Sequence, residues 1–354
     1  MRLFAGFLPL VCLSFAASLP AAEIPKPTGD TIVGPDSKLE KVFTRTAKIT
    51  GGLTEGPAVG PDGSIYFSDI PMGPDGGKGM ILRYDPKTKK TEVFAEDSRK
   101  SNGLTFDLKG NLIACEGADD GGRGIARWDL KTKARTVLAD KYMGKKFNAP
   151  NDIALDSKGR IYFSDPKYVG AEEREQEFRS VYRVDPDGKV TEVTHEVVKP
   201  NGIALSPDEK TLYVAEHDNG TDRIDPTKPA PKKGPMKIYA FPLGSDGLVS
   251  GAKKTLYDFG DQAGCDGMTV DDKGNIYLTS RGVKRPGVLV LNPEGKEIAF
   301  IATGEPDQPG EPVGLPSNVE FGLGDEANVL YITVDLSLYR IPLKAKGYHV
   351  QYKK

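Results

Sequence analysis

One short unit recurs along this chain. From Pro150 to Asp165 it reads as a polar residue, an apolar strand (Ile153-Ala154-Leu155), a turn (Asp156-Ser157-Lys158-Gly159) and a second strand with an aromatic (Ile161-Tyr162-Phe163-Ser164). The same order appears from Glu55-Gly56-Pro57 to Tyr66-Phe67-Ser68 and from Asn102-Gly103-Leu104 to Leu112-Ile113-Ala114. It returns from Asn201-Gly202-Ile203 to Leu212-Tyr213-Val214 and from Asp266-Gly267-Met268 to Ile276-Tyr277-Leu278. A looser copy runs from Asn318-Val319-Glu320 to Leu330-Tyr331-Ile332. Strand-rich units repeating roughly every 50 residues bury their faces by stacking in a ring. The spacing predicts an all-β, six-bladed β-propeller with four-stranded blades.

Outer strands follow each copy. Ile81-Leu82-Arg83-Tyr84-Asp85 and Thr91-Glu92-Val93-Phe94 complete the first, and Val181 to Asp185 with Val190 to Val193 complete the third. The last copy supplies about three strands before the chain ends. Leu39 to Ile49 can form a strand, and is expected to close that last blade and remove an exposed edge. The propeller is therefore expected over residues 39–345, after a Pro-rich flexible lead-in (23–38) and before a short C-terminal tail (346–354).

The head residue of each copy carries the chemical signal. In order they are Glu55, Asn102, Asn151, Asn201, Asp266 and Asn318. Equivalent positions of successive blades are related by rotation about one axis. If the first strand of each copy is innermost, six oxygen-bearing side chains converge on the central channel. Asn and Asp also cap turns at strand starts, but Glu is not a turn residue and heads the first copy. Hard cations such as calcium take six to eight oxygen ligands, and the nitrogen and sulfur ligands that suit zinc are absent from these positions.

These heads and their neighbours resemble the senescence marker protein/gluconolactonase/luciferin-regenerating enzyme family. The matching stretches are Thr54-Glu55-Gly56-Pro57, Asn148-Ala149-Pro150-Asn151-Asp152, Lys199-Pro200-Asn201-Gly202 and Cys265-Asp266-Gly267-Met268. Tyr162 to Gly170 is similar to bacterial lactonase members, and the resemblance covers roughly Leu39 to Leu343. It implies a divalent cation, calcium first, held by Glu55, Asn151, Asn201 and Asp266. Asn102 and Asn318 match no ligand position of the family. The implied activity is hydrolysis of a sugar lactone such as gluconolactone. A phosphotriesterase-like or esterase activity and a non-catalytic ligand-binding propeller are the alternatives.

Other catalytic signatures are missing. The chain has no Gly-x-Ser-x-Gly elbow, no His-Glu-x-x-His and no dinucleotide fingerprint. With three histidines (His195, His217 and His349), little room is left for a histidine-based triad. Asp266 is the expected base as well as a ligand. Asp152 is the alternative, but strand alternation after Asn151 should point it away from the metal. Asn102, Tyr168, His217 and Arg281 are the residues expected to face substrate. The turn Asp185-Pro186-Asp187-Gly188 has part of a calcium loop's spacing and lacks its distal Glu, so it reads as a turn.

The charge of −2 and the absence of a long basic run argue against nucleic acid as a partner. Arg2, the apolar run Leu3 to Leu19 and Ala21-Ala22 read as a signal peptide over residues 1–22, with a secreted or periplasmic product that leaves the membrane on cleavage. Cys12 lies inside the apolar run. Cys115 and Cys265 fall in well-separated copies and are expected to be free thiols. Glu172 to Phe178 can form a helical turn. The long loop Asp218 to Pro235 is expected to rim the channel mouth.

Overall fold

A computed structural model describes residues 24–46, 52–71, 77–220, 234–307 and 314–353. Six four-stranded antiparallel sheets form the blades of a β-propeller. The innermost strands are Leu53–Val59, Ser101–Phe106, Ile153–Leu155, Pro200–Leu205, Met268–Val270 and Pro316–Phe321. The N-terminal strand Glu40–Thr44 pairs with Ser337–Pro342 as the outermost strand of the sixth blade. The first strand of the fold thus lies against the last, as the strand count of the sixth copy predicted.

Apolar residues on both faces of each blade meet the next blade. One cluster joins Tyr277 and Val290 of blade five to Phe321 and Ile332 of blade six. Another joins Phe67 and Tyr84 of blade one to Tyr331 of blade six. Central strands are consequently buried along their length, as in Leu112–Glu116 and Ile276–Ser280. The Asp and Gly of the repeated turn also have a physical role. Asp156 Oδ1 accepts the amides of Lys158 (3.0 Å) and Arg160 (2.9 Å), while Gly159 takes φ 76°. This is a hairpin turn that an Asx side chain closes.

The lead-in departs from the flexible segment expected of it. Thr28 bridges Phe300, Ile32 is buried between blades five and six, and Lys344 N donates to the Ile32 carbonyl at 2.8 Å. An apolar side chain at the inter-blade groove is reason enough for this docking. Glu172 to Phe178 contains no helical turn. Its side chains bond elsewhere instead, with Gln176 Nε2 donating to the Lys145 carbonyl at 2.8 Å and Glu172 Oε1 accepting Asp120 N at 3.1 Å. The expected signal peptide lies outside the described residues, as does the body of the 218–235 loop. No helix among the described residues is long and apolar enough to cross a membrane.

The C-terminal tail crosses the lower end of the channel. Tyr348 N donates to Val270 O (3.3 Å), Tyr348 Oη to Pro207 O (2.7 Å) and Tyr352 Oη to Val59 O (2.8 Å). Beneath it Glu320 accepts Phe321 N (2.7 Å) and Thr269 Oγ1 (3.1 Å). Desolvation pushes the Glu320 carboxyl up to about 8. That folded value lies above the ordinary 4.5, so Glu320 contributes stability below about pH 4.5 that is lost as pH rises through 8. Glu320→Gln is expected to be more stable than wild type at pH 9 and to lose that advantage at pH 5. Urea titrations at the two pH values check this, and equal differences at both would refute it.

Candidate active site

The heads sit where the ladders break. Pairing of the innermost strand shifts register between Glu55 and Ala58, Ser101 and Leu104, Pro200 and Ile203, and Pro316 and Asn318. In blades three and five regular pairing begins only after the head, at Ile153 and Met268. A bulge releases the backbone from alternation and re-aims its side chains. Neighbouring blades are then linked through the glycine that follows a head. Gly103 N donates to Asn151 O, Gly202 N to Asp266 O and Gly267 N to Ser317 O, each at 2.7 Å. A Cβ on Gly202 would lie 2.3 Å from the Asp266 carbonyl oxygen, which explains a glycine there.

Beside this ring lies a cavity of about 520 Å³. Glu55, Asn102, Asn151, Tyr168, Asn201, His217, Asp266 and Arg281 all line it. The four expected ligands, Asp266 as the expected base and the four expected substrate contacts therefore lie around one space, and the alternative base Asp152 does not. Asp266 Oδ1 accepts Asn201 Nδ2 (2.7 Å), and Asp266 Oδ2 lies 3.1 Å from an Arg281 guanidinium nitrogen. Glu55 is buried and accepts Gly56 N at 3.3 Å. Burial, reinforced by the charge of Asp266, holds its carboxyl well above the usual range.

His217 and Tyr168 form one corner. Tyr168 Oη donates to the His217 carbonyl at 2.8 Å, and Lys199 Nζ lies 4.4 Å above the Tyr168 ring. His217 is buried rather than a surface loop residue, and burial lowers its basicity, so the ring is neutral. Its Nδ1 lies 3.0 Å from the Cys265 carbonyl. A carbonyl can only accept, so Nδ1 carries the hydrogen and Nε2 is the acceptor. Cys265 and Cys115 are both free and buried.

Asp152 is kept off the cavity, as expected, but strand alternation is not the reason. It precedes the strand, so alternation does not govern it. Its carboxylate turns inward, accepting Ile203 N (2.9 Å) and Asn318 Nδ2 (3.2 Å), and burial pushes it up to about 7. Asp152 does not line the cavity; it joins blades three, four and six beneath it. Asn318 likewise supports from below.

Sequence reasoning missed a set of acids that end the second strand of a copy. Asp165 accepts Asn148 N (2.8 Å) and Ala149 N (2.7 Å), fixing the loop that carries Asn151. Asp69 does the same for Gly52 N (3.2 Å) ahead of Glu55, and Glu216 for Val198 N (3.1 Å) ahead of Asn201. The signal was visible as an acid at this position in four copies: Asp69, Glu116, Asp165 and Glu216. In blade five Thr279 Oγ1 takes that role, accepting Asp266 N and Gly267 N at 3.0 Å each.

Two carboxylates and two amides suit an oxygen-ligated divalent cation. Among the described residues no group of three or more His, Cys, Asp or Glu converges as a metal site, so the amides are essential to any such set. The observation that favours a cation is Glu55, an acid desolvated beside another acid.

Comparison with known proteins agrees with this architecture. Residues 53–335 match the family model described as SMP-30/Gluconolactonase/LRE-like region. A gluconolactonase of Zymomonas mobilis is 31% identical over 314 residues, covering 83% of this chain and 79% of that protein. A pentonolactonase of Haloferax volcanii is 27% identical over 292 residues, covering 82% and 84%. Among solved structures, a gluconolactonase of Xanthomonas campestris superimposes with a TM-score of 0.72 at 26% identity, covering 91% of this chain and 96% of that one. With its six blades and its ring of heads, the chain belongs to the SMP-30/gluconolactonase/LRE-like family.

Proposed function

We propose that this protein hydrolyses a sugar lactone such as gluconolactone, with one divalent cation, calcium by preference, held by Glu55, Asn151, Asn201 and Asp266. The single observation that carries the reading is the cavity that those four side chains line together, with the buried acid Glu55 close to a second acid, Asp266. Lactone hydrolysis is what the relatives' names state of them, and the shared family brings it here as an inference. The bound ion supplies Lewis-acid polarisation of the lactone carbonyl.

The chain's own residues account for the rest. Asp266 accepts a proton from the attacking water as the new carbon–oxygen bond forms. It returns that proton to the ring oxygen when the ester bond breaks, giving the open hydroxy acid. Arg281 and Asn201 hold the Asp266 carboxylate in place through its two oxygens. Leu53, Ile70 and Val169 are apolar residues of the cavity lining that limit bulk water. Asn102, Tyr168, His217 and Arg281 contact the substrate.

The decisive experiment is a panel of lactones, aryl esters and phosphotriesters assayed with calcium and after chelation. Activity towards lactones that chelation abolishes supports the reading; ester or phosphotriester turnover without lactone turnover replaces it. Glu55→Gln keeps the shape and removes one charge, so calcium affinity is expected to fall at least tenfold by calorimetric titration. Unchanged affinity would remove Glu55 from the ligand set. We also propose export, with a mature N-terminus between Ser18 and Glu23; an intact Met1 on the soluble protein, found by N-terminal sequencing, would argue against it.

A further inference from the structure

The tail after Ala345 belongs to no blade, yet it reaches the seams of all six. Tyr348 packs on the apolar cluster that joins blades four and five, Val350 on that of blades two and three, and Tyr352 on that of blades one and six. Side chains of the same segment donate to main-chain carbonyls of three blades. Tyr348 Oη donates to Pro207 O (2.7 Å), His349 Nε2 to Gly322 O (3.1 Å) and Tyr352 Oη to Val59 O (2.8 Å). The His349 tautomer follows from its partner, since a carbonyl only accepts. Main-chain bonds add to these. Gly347 N donates to Ala327 O (2.9 Å), Asp272 N to Lys346 O (2.9 Å) and Tyr348 N to Val270 O (3.3 Å).

The anchor points are the far ends of the strands that carry the heads. Val59, Val270 and Gly322 each lie four residues after a head, namely Glu55, Asp266 and Asn318. Leu155, in the cluster that Val350 covers, lies four residues after Asn151. Pro207 follows the strand that carries Asn201. Each head is thus joined to the tail through a short length of strand, about 13 Å for four extended residues. The acceptors are backbone atoms, so side-chain rotation cannot take up a shift of a strand. Between the tail and the strands lies a cavity of only about 80 Å³, which leaves little slack.

We propose that residues 346–353 are a strap whose docking is coupled to cation binding at the ring of heads. The docked strap holds the inner strands at the spacing the cation requires, and the bound cation in turn holds the strap. The inference rests on the cation reading above. Tyr348, His349 and Tyr352 do not line the large cavity, so any effect they have on the cation passes through the strands. Coupling between two sites is reciprocal at equilibrium. The factor by which strap docking raises calcium affinity therefore equals the factor by which calcium tightens the strap.

Hydrogen exchange of the whole wild-type chain, with calcium and after chelation, tests this without a substitution. Calcium is expected to slow the amides of Gly202 and Gly267 in the ring. It is also expected to slow those of Gly347 and Tyr348 in the strap by about fivefold, the low end of the range for coupled sites. A second arm is calorimetric calcium titration of Tyr348→Phe/Tyr352→Phe, which keeps both rings and removes both hydroxyl donors. Its calcium affinity is expected to fall by about the same fivefold. Calcium that protects the ring glycines but leaves Gly347 and Tyr348 unchanged overturns the coupling, as does a double variant with wild-type affinity. If the double variant fails to fold, the wild-type exchange decides alone. Wild-type protein that shows neither calcium binding by titration nor protection of the ring glycines overturns the cation reading itself.

Discussion

Asp266→Asn is expected to lower lactone kcat/KM by about 10³-fold, within the usual range for loss of a general base. The substitution keeps the shape of the side chain. It removes the negative charge that faces Arg281 at 3.1 Å and the oxygen basicity that the water-attack step requires. Calcium affinity should fall as well, because one of the two carboxylates among the four ligands is lost. Activity should fall further than metal occupancy, so rates measured at saturating calcium separate the two effects. Asn102→Ala provides the contrast. Asn102 lines the cavity but is not among the four ligands, and its loss is expected to be milder. A variant carrying Asn at 266 that binds calcium normally and turns over lactone at the wild-type rate would disprove the proposed site.

The second large effect is on the ring that carries the heads. Gly202→Ala would place a methyl group 2.3 Å from the Asp266 carbonyl oxygen and 2.9 Å from Gly267 Cα. Both obstacles are backbone atoms, so no side-chain rotation relieves them. Blades four and five must separate locally, lengthening the 2.7 Å bond from Gly202 N to Asp266 O. A stability loss of about 3 kcal/mol is expected, at the upper end of typical overpacking costs. Turnover should drop with it even in the folded fraction, because the displaced carbonyl belongs to the same residue as the proposed base. Denaturant titration together with activity at low temperature reads both. Wild-type stability would mean that the blades slide past each other freely at this point.

Much of this site was legible because each head occupies the same place in a repeat, and repetition around an axis converts sequence position into spatial convergence. Glu55, Asn151, Asn201 and Asp266 could be placed around one space without knowing any blade's detailed geometry. Asp152 was expected to point away from that space and does, but the reason lies in where regular pairing starts. Alternation holds only inside a strand, and pairing in blade three begins at Ile153. The acids Asp69, Asp165 and Glu216 were missed for a different reason. Each bonds the loop ahead of a head rather than lining the cavity, so the repeated acid was visible in the sequence but the partner that gives it a role was not.

The sequence by itself determined the number of blades, the closing of the sixth blade by the N-terminal strand and the ring of oxygen-bearing heads. Those follow from the period of the apolar pattern, which is local information copied six times. Tertiary structure alone decided three other matters: the docking of the lead-in between blades five and six, the path of the C-terminal tail under the channel, and the pairing of Lys100 with Asp119 on the cavity wall. In each of these, residues that belong to no shared repeat position meet. The contact arises from the shape left between finished blades, and that shape does not exist until the ring has closed.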